Sequence, residues 1–291
     1  MKVAGFTIAR NAIKYDYPVV EAIKSILPLC NAVFVAVGQS EDDTENLIRS
    51  IGDDKIHIIN TVWDDSLRHG GKVLAVETNK AFGAIPDDYD WAFYIQADEI
   101  LHEKYIETIN IEMQKELHNK AIDGLLFNYK HFYGSYDYVG ESYKWYRREI
   151  RIVRNDKSIY SHGDAQGFRK NNDEKLNVKL IEAYIYHYGW VKDPRKQQAK
   201  QLDFNRLWHD DKWIETNISN DAEFDYSEID SLSLFDNTHP KVMLERIEKM
   251  NWKFSHDISQ KNYSPKEKIK RFIESLTGYR IGEYKNYKIA K

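Results

Sequence analysis

Strand-forming and helix-forming segments alternate through residues 3–96, and no other feature of the sequence constrains the fold as strongly. Short runs rich in β-branched and aromatic residues lie at 3–9, 32–37, 55–60 and 91–96. Segments with helical spacing lie between them, at 15–29, 42–51 and 72–82. Because strands joined by helices pair in parallel and bury both faces of the sheet, we predict an α/β fold with a mostly parallel sheet flanked by helices.

Residues 105–192 are predicted to complete the same domain. A helical segment at 105–118 is followed by strand patterns at 124–131, 147–154 and 181–188. From residue 193 the pattern changes, and helical spacing recurs at 196–209, 241–250 and 265–276. Ser264 and Pro265 suit the N-cap and first turn of the last helix. We therefore predict a domain at 1–192 and a helical C-terminal extension at 193–291, with an acidic loop or lid at 217–237.

Charge and cysteine content narrow the classes of protein. The formal net charge is −4 and the pI is about 6.2, whereas nucleic-acid binders are usually basic, so we expect no nucleic-acid partner. Cys30 is the single cysteine; it allows no internal disulfide, fits a reducing compartment and is predicted to lie in the core. The sequence shows neither a signal-peptide pattern nor an apolar run of about 18 residues, so we expect a cytoplasmic protein.

The last predicted helix is basic. It carries Lys266, Lys268, Lys270 and Arg271. Such a cluster is either a solvated helix face or a peripheral contact with a membrane surface, and the sequence leaves both interpretations open.

Polar side chains follow the predicted strands where a parallel sheet binds its ligands, beyond the carboxyl ends. Arg10 and Asn11 follow the first strand, a turn at 38–43 follows the second, and Asp64 and Asp65 follow the third. The fourth strand runs directly into Asp98 and Glu99. Carboxylates at such an edge must be solvated, paired or metal-bound, and Mg²⁺ or Mn²⁺ binds one or two carboxylates together with phosphate oxygens. A solvated turn is the alternative.

Three stretches resemble family 2 glycosyltransferases, which have the Rossmann-like GT-A fold. They are residues 6–11, residues 37–44 and Gln96-Ala97-Asp98-Glu99, and weaker similarity continues through 145–148, 163–165 and 186–190. The resemblance implies a nucleotide-sugar-binding half at 1–104 and an acceptor half at 105–192. It does not cover the C-terminal extension.

The activity implied by this resemblance is sugar transfer from a nucleotide-diphosphate donor to an acceptor hydroxyl, with inversion and with a divalent metal, Mn²⁺ or Mg²⁺. The implied setting is surface polysaccharide or glycan synthesis, with a glycan or lipid-linked acceptor and work at the inner face of the membrane.

The motif residues carry over with two departures. Gln96 stands where the family's metal motif has its first aspartate, while Asp98 matches the direct metal ligand, and Ala97 lies between them. Gly38 stands where the family often has an aspartate that contacts the nucleoside, so Asp64 or Asp65 is predicted to recognise the base instead.

Three further residues are assigned to the site. Arg10 and Asn11 are predicted to contact the nucleotide, with an arginine paired to a helix carboxylate as the alternative for Arg10. His187 is predicted to complete the metal or diphosphate site, with a packed core histidine as the alternative.

Arg147 and Arg148 are predicted to stabilise the leaving diphosphate, with a surface ion-pair ladder as the alternative. A transferase also needs a base for the acceptor hydroxyl. The predicted base is Asp164, where Gly163 frees the backbone, or else Glu141.

The sequence also bears on three classes of function other than a glycosyltransferase. A nucleotidyltransferase would carry a glycine-rich phosphate loop after the first strand, which residues 6–11 lack. A dehydrogenase would carry Gly-x-Gly-x-x-Gly there. A non-catalytic nucleotide- or sugar-binding module, in which Gln96 marks a decayed metal site, remains the alternative from a different class.

Overall fold

Seven strands form the centre of the computed structural model, which describes residues 1–219 and 221–290. In spatial order they are β3 (Ile56–Thr61), β2 (Ala32–Gly38), β1 (Val3–Ala9), β4 (Trp91–Tyr94), β8 (Arg148–Arg154), β6 (Gly124–Tyr133) and β12 (Asn177–Trp190). Strand β8 is antiparallel to both of its neighbours, and the other six run in one direction. The predicted α/β fold with a mostly parallel sheet is confirmed.

Shorter strands extend this sheet and form a second one. The extensions are β5 (Glu99–Leu101), β7 (Ser135–Gly140), β13 (Leu232–Leu234) and β14 (Lys288–Ile289). The second, antiparallel sheet consists of β9 (Ile159–His162), β10 (Gly167–Lys170) and β11 (Glu174–Lys175). The C-terminal extension therefore adds β13 and β14 to the central sheet besides its helices.

Eight helices accompany the strands in the described residues. They are α1 (Val19–Ile26), α2 (Thr44–Arg49), α3 (Lys72–Gly83), α4 (Ile106–Glu116), α5 (Pro194–Asn205), α6 (Asp211–Asn217), α7 (Leu244–Glu248) and α8 (Pro265–Thr277). Ser264 caps α8 as predicted, because its Oγ accepts a hydrogen bond from the Glu267 amide at 3.2 Å. Residue 220, in the predicted loop at 217–237, and residue 291 lie outside the described residues. None of the described helices is both long and apolar enough to cross a membrane.

Alternating side chains of the strands fill a core on each face of the sheet. In β1, Val3 and Ala9 pack on one face while Ala4, Phe6 and Ile8 pack on the other, as the two-residue period of a strand requires. Cys30 belongs to the first of these cores, and burial raises the pKa of its thiol to about 12. Its predicted role as a core residue is confirmed.

A fully buried ion pair fixes the turn that follows β4. The Arg151 guanidinium donates to both carboxylate oxygens of Glu99, at 2.7 and 2.8 Å, and neither side chain is exposed. Tyr129 and the Gln96 amide donate to the same carboxylate, at 2.7 and 3.1 Å. Glu99 is thereby saturated with donors, so it positions its neighbour Asp98 and is not itself free to bind a ligand.

Glu149, two residues before Arg151 on β8, gives the protein a pH-dependent stability. Burial raises the pKa of this carboxyl to about 8, although the charge of Arg151 opposes the shift. An unfolded glutamate titrates near 4.5, so the folded state holds an extra proton between these two pH values. The stabilisation from protonated Glu149 is complete below the unfolded pKa and is lost as the pH rises through the folded pKa.

We expect Glu149→Gln to flatten this dependence, because glutamine is neutral at every pH. The free energy of unfolding of the unmodified protein should fall by on the order of 3–5 kcal/mol between pH 4.5 and pH 9 through this group. Urea unfolding at several pH values measures the difference, with Glu107→Gln at an exposed position of α4 as the matched control. An equal decline in all three proteins would contradict the assignment.

Candidate functional site

The candidate site lies where β1, β2, β3 and β4 end, because parallel strands bring their carboxyl ends to one edge. Arg10, Gly38 and Gln96 follow or end three of these strands, and Trp63 comes two residues after β3. The predicted strand-end residues are therefore brought together on one edge of the sheet.

The segment after β3 folds back over the end of β2. Trp63 covers Gly38 so closely that a Cβ atom on Gly38 would lie 2.4 Å from the indole Nε1. Arg10 stacks on the same indole at 5.4 Å and forms an ion pair with Asp65 at 2.7 Å. The indole thus fills the space that an aspartate side chain would need, which explains why glycine stands at position 38.

Two hydrogen-bond donors in this corner have no partner. The Nε atom of Arg10 and the Nε1 atom of Trp63 are buried without an acceptor in the described residues, although buried donors are almost always paired. Asp64 is exposed and accepts from Ser66, whereas Asp65 holds Arg10 in place. The corner therefore contains two unpaired donors beside an aromatic ring.

Asn11 joins the ends of β1 and β2. Its backbone has a φ of 54°, and its side-chain Oδ1 accepts from the Glu41 amide at 2.8 Å. The backbone N–H of Asn11 donates to Ser40 Oγ at 3.0 Å. Asn11 is thus occupied in shaping the loop, and its predicted contact with the nucleotide remains a prediction.

Asp98 and His187 meet because of strand register. Strand β5 pairs with the end of β12 so that Glu99 lies opposite His187, and this pairing leaves the His187 Nε2 atom 3.7 Å from Asp98 Oδ1. The Tyr188 amide donates to the Asp98 carbonyl at 2.8 Å. A Cβ atom on Gly189 would lie 2.7 Å from Asp98 Oδ2 and 2.6 Å from the His187 ring, so only glycine lets these two side chains pack this close to the backbone.

Two buried lysines accompany Asp98. The ammonium group of Lys200, on α5, lies 3.3 Å from Asp98 Oδ2 and donates to the Gly189 carbonyl at 3.0 Å. Burial disfavours ionised Asp98, but nearby positive charge, that of Lys200 above all, outweighs it and holds the pKa of this carboxyl well below its usual range. Lys192 is fully buried, and burial lowers its own pKa. The Asp98 carboxylate and the Lys200 ammonium group therefore lie side by side in one buried site.

The donor set at Asp98 fits a divalent ion that shares its shell with a substrate. No cluster of three or more metal-binding His, Cys, Asp or Glu side chains occurs in residues 1–219 and 221–290, but Mg²⁺ needs only one or two protein ligands when phosphates supply the others. Asp98 Oδ1 and His187 Nε2 lie 3.7 Å apart beside Gly189. Burial lowers the pKa of His187, which favours the neutral imidazole that metals bind.

Asp164 lies in the turn between β9 and β10, next to Gln96. The Gln96 side chain donates to the Ala165 carbonyl at 3.3 Å, so this residue holds the turn against the end of β4. Asp164 packs against Gly71, where a Cβ atom would lie 2.9 Å from the Asp164 Cβ. Burial raises the pKa of its carboxyl. A half-buried carboxylate of raised basicity at this edge can accept a proton.

The other predicted residues have partners away from Asp98. Arg147 binds Glu283 at 2.7 Å and Glu274 at 2.9 Å, and Arg148 donates to the Asn128 side chain at 3.1 Å. Glu141 pairs with Lys261 at 2.9 Å. Residues 149–153 are buried, so an ion-pair ladder on the surface does not continue along β8 beyond Arg148.

Glu141 and Arg147 line a cavity of about 430 Å³. The cavity lies next to the candidate site, because His131 in its wall has its Nδ1 atom 3.3 Å from Nδ1 of His187. Aromatic and charged side chains predominate in its wall, which is made by Tyr129, His131, Gly140, Glu141, Ser142, Tyr143, Trp145, Tyr146, Arg147, Arg271, Glu274, Ser275 and Arg280. The cavity thus combines residues of the acceptor half with residues of the C-terminal extension.

Sequence reasoning missed the contribution of α5 and the residues after it, which cover the strand ends. Lys200 reaches Asp98, Asp203 binds Lys14 at 3.0 Å, and Trp208 packs against Gly71. Arg68 donates to the carbonyl groups of residues 206 and 209, both at 2.9 Å. The one available signal was Lys192, which lies two residues after β12 and five residues after His187.

Comparisons with known proteins give only distant likenesses. No protein-family model and no curated protein matches the chain. Among solved structures, TarS of S. aureus is similar, with 13% identity, a TM-score of 0.42, and coverage of 76% of this chain and 41% of TarS. Glucosyl-3-phosphoglycerate synthase from Mycobacterium tuberculosis, in complex with Mn²⁺, UDP and phosphoglyceric acid, has 19% identity, a TM-score of 0.30, and coverage of 45% and 43%.

A third structure is 4-diphosphocytidyl-2C-methyl-D-erythritol synthase from Anaerococcus prevotii DSM 20548, with 11% identity, a TM-score of 0.38, and coverage of 70% of this chain and 94% of the synthase. The chain spans about two fifths of the length of the first two proteins. Likenesses at these scores do not establish a family or an activity for this chain.

Proposed function

We propose that the chain is a glycosyltransferase that moves a sugar from a nucleotide-diphosphate donor to an acceptor hydroxyl, with inversion and with the help of a divalent metal. The observation that carries the proposal is the convergence of the Asp98, His187 and Lys200 side chains beside Gly189, on the same sheet edge as the unpaired donors of Arg10 and Trp63. This arrangement could bind an anion next to a flat polar ring, and a nucleoside diphosphate combines these two parts in its diphosphate and its base.

The donor would lie along the strand ends. Its base would contact the Trp63 indole and the Arg10 guanidinium, whose unpaired N–H groups can donate to carbonyl oxygens of a base. Its diphosphate would lie at Lys200, where a buried ammonium group interacts strongly with an anion. Asp98 and His187 would hold the Mn²⁺ or Mg²⁺ ion, which supplies charge neutralisation to the diphosphate when bound.

Transfer then needs a base and a stabilised leaving group. The Asp164 carboxylate accepts the proton of the acceptor hydroxyl while the hydroxyl oxygen bonds to the anomeric carbon. The bond between that carbon and the diphosphate oxygen breaks, and Lys200 compensates the charge that the diphosphate gains. Asp164 suits the role better than Glu141, because Lys261 outweighs burial and lowers the pKa of Glu141, whereas burial raises that of Asp164.

The 430 Å³ cavity is the proposed acceptor site. It adjoins His187 through His131, and its Trp145, Tyr143 and Tyr146 rings offer the apolar faces that stack on sugars. Residues 1–192 would then form the catalytic domain, and residues 193–291 would close both sites. Glycan or lipid-linked acceptors, in surface polysaccharide synthesis at the inner face of the membrane, are the proposed setting.

Calorimetric titration with UDP, GDP, CDP and dTDP, each with and without Mn²⁺, tests the donor site. We expect one diphosphate to bind, and Mn²⁺ to strengthen its binding. Release of free sugar or a glycosylated acceptor from the matching nucleotide sugar then separates an enzyme from a non-catalytic binding module. If none of the four diphosphates binds under either condition, the proposal fails.

Trp63→Ala should weaken binding of the preferred diphosphate about tenfold, because stacking of a base on an aromatic ring contributes about 1–3 kcal/mol. Calorimetry measures the change in Kd. Trp252→Ala, at a half-buried tryptophan that lines a different cavity, is the matched control and should bind like the unmodified protein. Equal affinity of the Trp63 variant would exclude the indole from the base site.

A further inference from the structure

Helix α8 attaches to the rest of the protein through its charged side chains. Glu267 accepts from the Tyr143 amide at 3.3 Å, Arg271 donates to the Glu141 carbonyl at 2.9 Å, and Glu274 accepts from Arg147 at 2.9 Å. Helices of soluble proteins usually turn their apolar face to the core and their charged face to water. In α8 the charged face is the one that contacts the protein.

The apolar face of α8 points away from the protein. Ile269, Phe272 and Leu276 are 63%, 65% and 70% exposed, and Tyr279, just beyond the helix, is 61% exposed. Ile269, Phe272 and Leu276 follow the three- and four-residue spacing of one helix face, so they form a continuous stripe, here called the α8 stripe. Single exposed apolar residues are common on protein surfaces, but a contiguous patch marks an interaction site.

Charge decides which partner fits the α8 stripe. Lys266 and Lys268 are both exposed, and a rotation of about 100° per residue places them on opposite sides of the stripe. Lysines that flank an apolar face can extend their ammonium groups to lipid phosphates. A second copy of the chain packed stripe against stripe would offer these lysines no carboxylate, because the stripe is entirely apolar. The flanking charges therefore favour an anionic lipid surface.

The dimensions agree with binding in the plane of a membrane. Helix α8 has 13 residues, which corresponds to roughly 20 Å and is too short to cross a hydrocarbon core of about 30 Å. A short helix with one apolar and one charged face lies at the interface between headgroups and acyl chains. Here the charged face is already occupied by the protein.

We propose that α8 docks the protein on anionic phospholipid membranes, with Phe272 and Leu276 inserted at the boundary of the acyl chains and Lys266 and Lys268 on the headgroups. The inference does not depend on the proposed transfer reaction. It has a consequence for it, however, because Arg271 and Glu274 of the same helix line the 430 Å³ cavity, and docking would bring this cavity next to the lipid surface.

Co-sedimentation with vesicles tests the docking. The unmodified protein should bind vesicles of phosphatidylglycerol and phosphatidylcholine, bind pure phosphatidylcholine at least about tenfold more weakly, and lose binding as salt screens the lysines. The double variant Phe272→Ser with Leu276→Ser should lose at least about tenfold in affinity. Lys266→Gln with Lys268→Gln should reduce binding to the anionic vesicles selectively.

The matched control is Ile111→Ser with Leu244→Ser, which removes two apolar side chains that are 54% and 49% exposed on other helices. It should bind vesicles like the unmodified protein, and all variants should keep its circular dichroism, because the replaced residues are exposed. Two results would overturn the inference. One is an unmodified protein that stays in the supernatant with anionic vesicles at low salt. The other is a dimer, seen by light scattering, that the α8 stripe variant abolishes while vesicles have no effect.

Discussion

Asp98→Asn should lower the rate of sugar transfer by about 10²–10³-fold, the effect expected when one electrostatic group is removed from a transition state that gains charge. Asparagine cannot supply the negative charge that Asp98 directs at the metal position. The same change should abolish the strengthening of diphosphate binding by Mn²⁺. Steady-state kinetics with the nucleotide sugar identified by calorimetry, together with titrations with and without Mn²⁺, measure both effects.

We also expect Asp98→Asn to lower the free energy of unfolding, so a second variant is needed to separate this effect from loss of metal binding. Lys200 and Lys192 are buried beside Asp98, and removal of one partner of a buried charge pair costs about 3–5 kcal/mol. His187→Gln leaves those charges in place and should also abolish the Mn²⁺ effect. Asp87→Asn, whose carboxylate is 89% exposed before β4, should change neither rate nor binding. If His187→Gln keeps the full response to Mn²⁺, the metal assignment is wrong.

The sheet and its binding edge could be predicted because they follow from local patterns. Apolar runs at 3–9, 32–37 and 91–96 indicate buried parallel strands, and this signal does not depend on the rest of the chain. The polar residues that follow those runs must then meet at one edge, which is why Arg10 and Asp98 were correctly placed on the same side of the sheet.

The second half of the site could not be predicted, because distant segments supply it. Lys200 lies in a helix without a clear apolar face, 102 residues from Asp98, and only packing of α5 on the sheet edge brings the two together. Arg147 was predicted at the diphosphate, but it forms its ion pairs with Glu274 and Glu283, more than 120 residues away. Contacts of this kind leave no periodic signal in a single sequence.

The pattern of β8 predicts a strand correctly, but it does not predict that both faces of this strand are buried. The alternation of charged and aliphatic residues in β8 indicates a strand with one face in water. In the structure, Arg151 is fully buried against Glu99, and Glu149 lies near Gly167 of β10, where a Cβ atom would be 3.5 Å from its Oε2. The small antiparallel sheet covers the face that the pattern assigns to solvent.

Asp164→Asn should lower kcat by about 10²–10⁴-fold, the contribution typical of a positioned general base, while KM for the donor should stay nearly constant. The carboxylate accepts a proton only when ionised, and burial raises its pKa. In the unmodified enzyme kcat should therefore rise with pH through this raised pKa and level off above it. The variant should lack this rise, because an amide does not ionise in the same range.

The pH profile separates catalysis from a structural role of Asp164. The side chain also accepts from the Gln166 amide at 3.3 Å, a bond that asparagine can make through its own oxygen, so the turn between β9 and β10 should survive the substitution. Diphosphate affinity should accordingly remain unchanged in Asp164→Asn. A variant that keeps near-normal kcat would transfer the role of base to another group, and Glu141→Gln in the acceptor cavity is then the substitution that should abolish transfer. Loss of kcat together with loss of diphosphate binding would instead mark Asp164 as a residue that supports the turn.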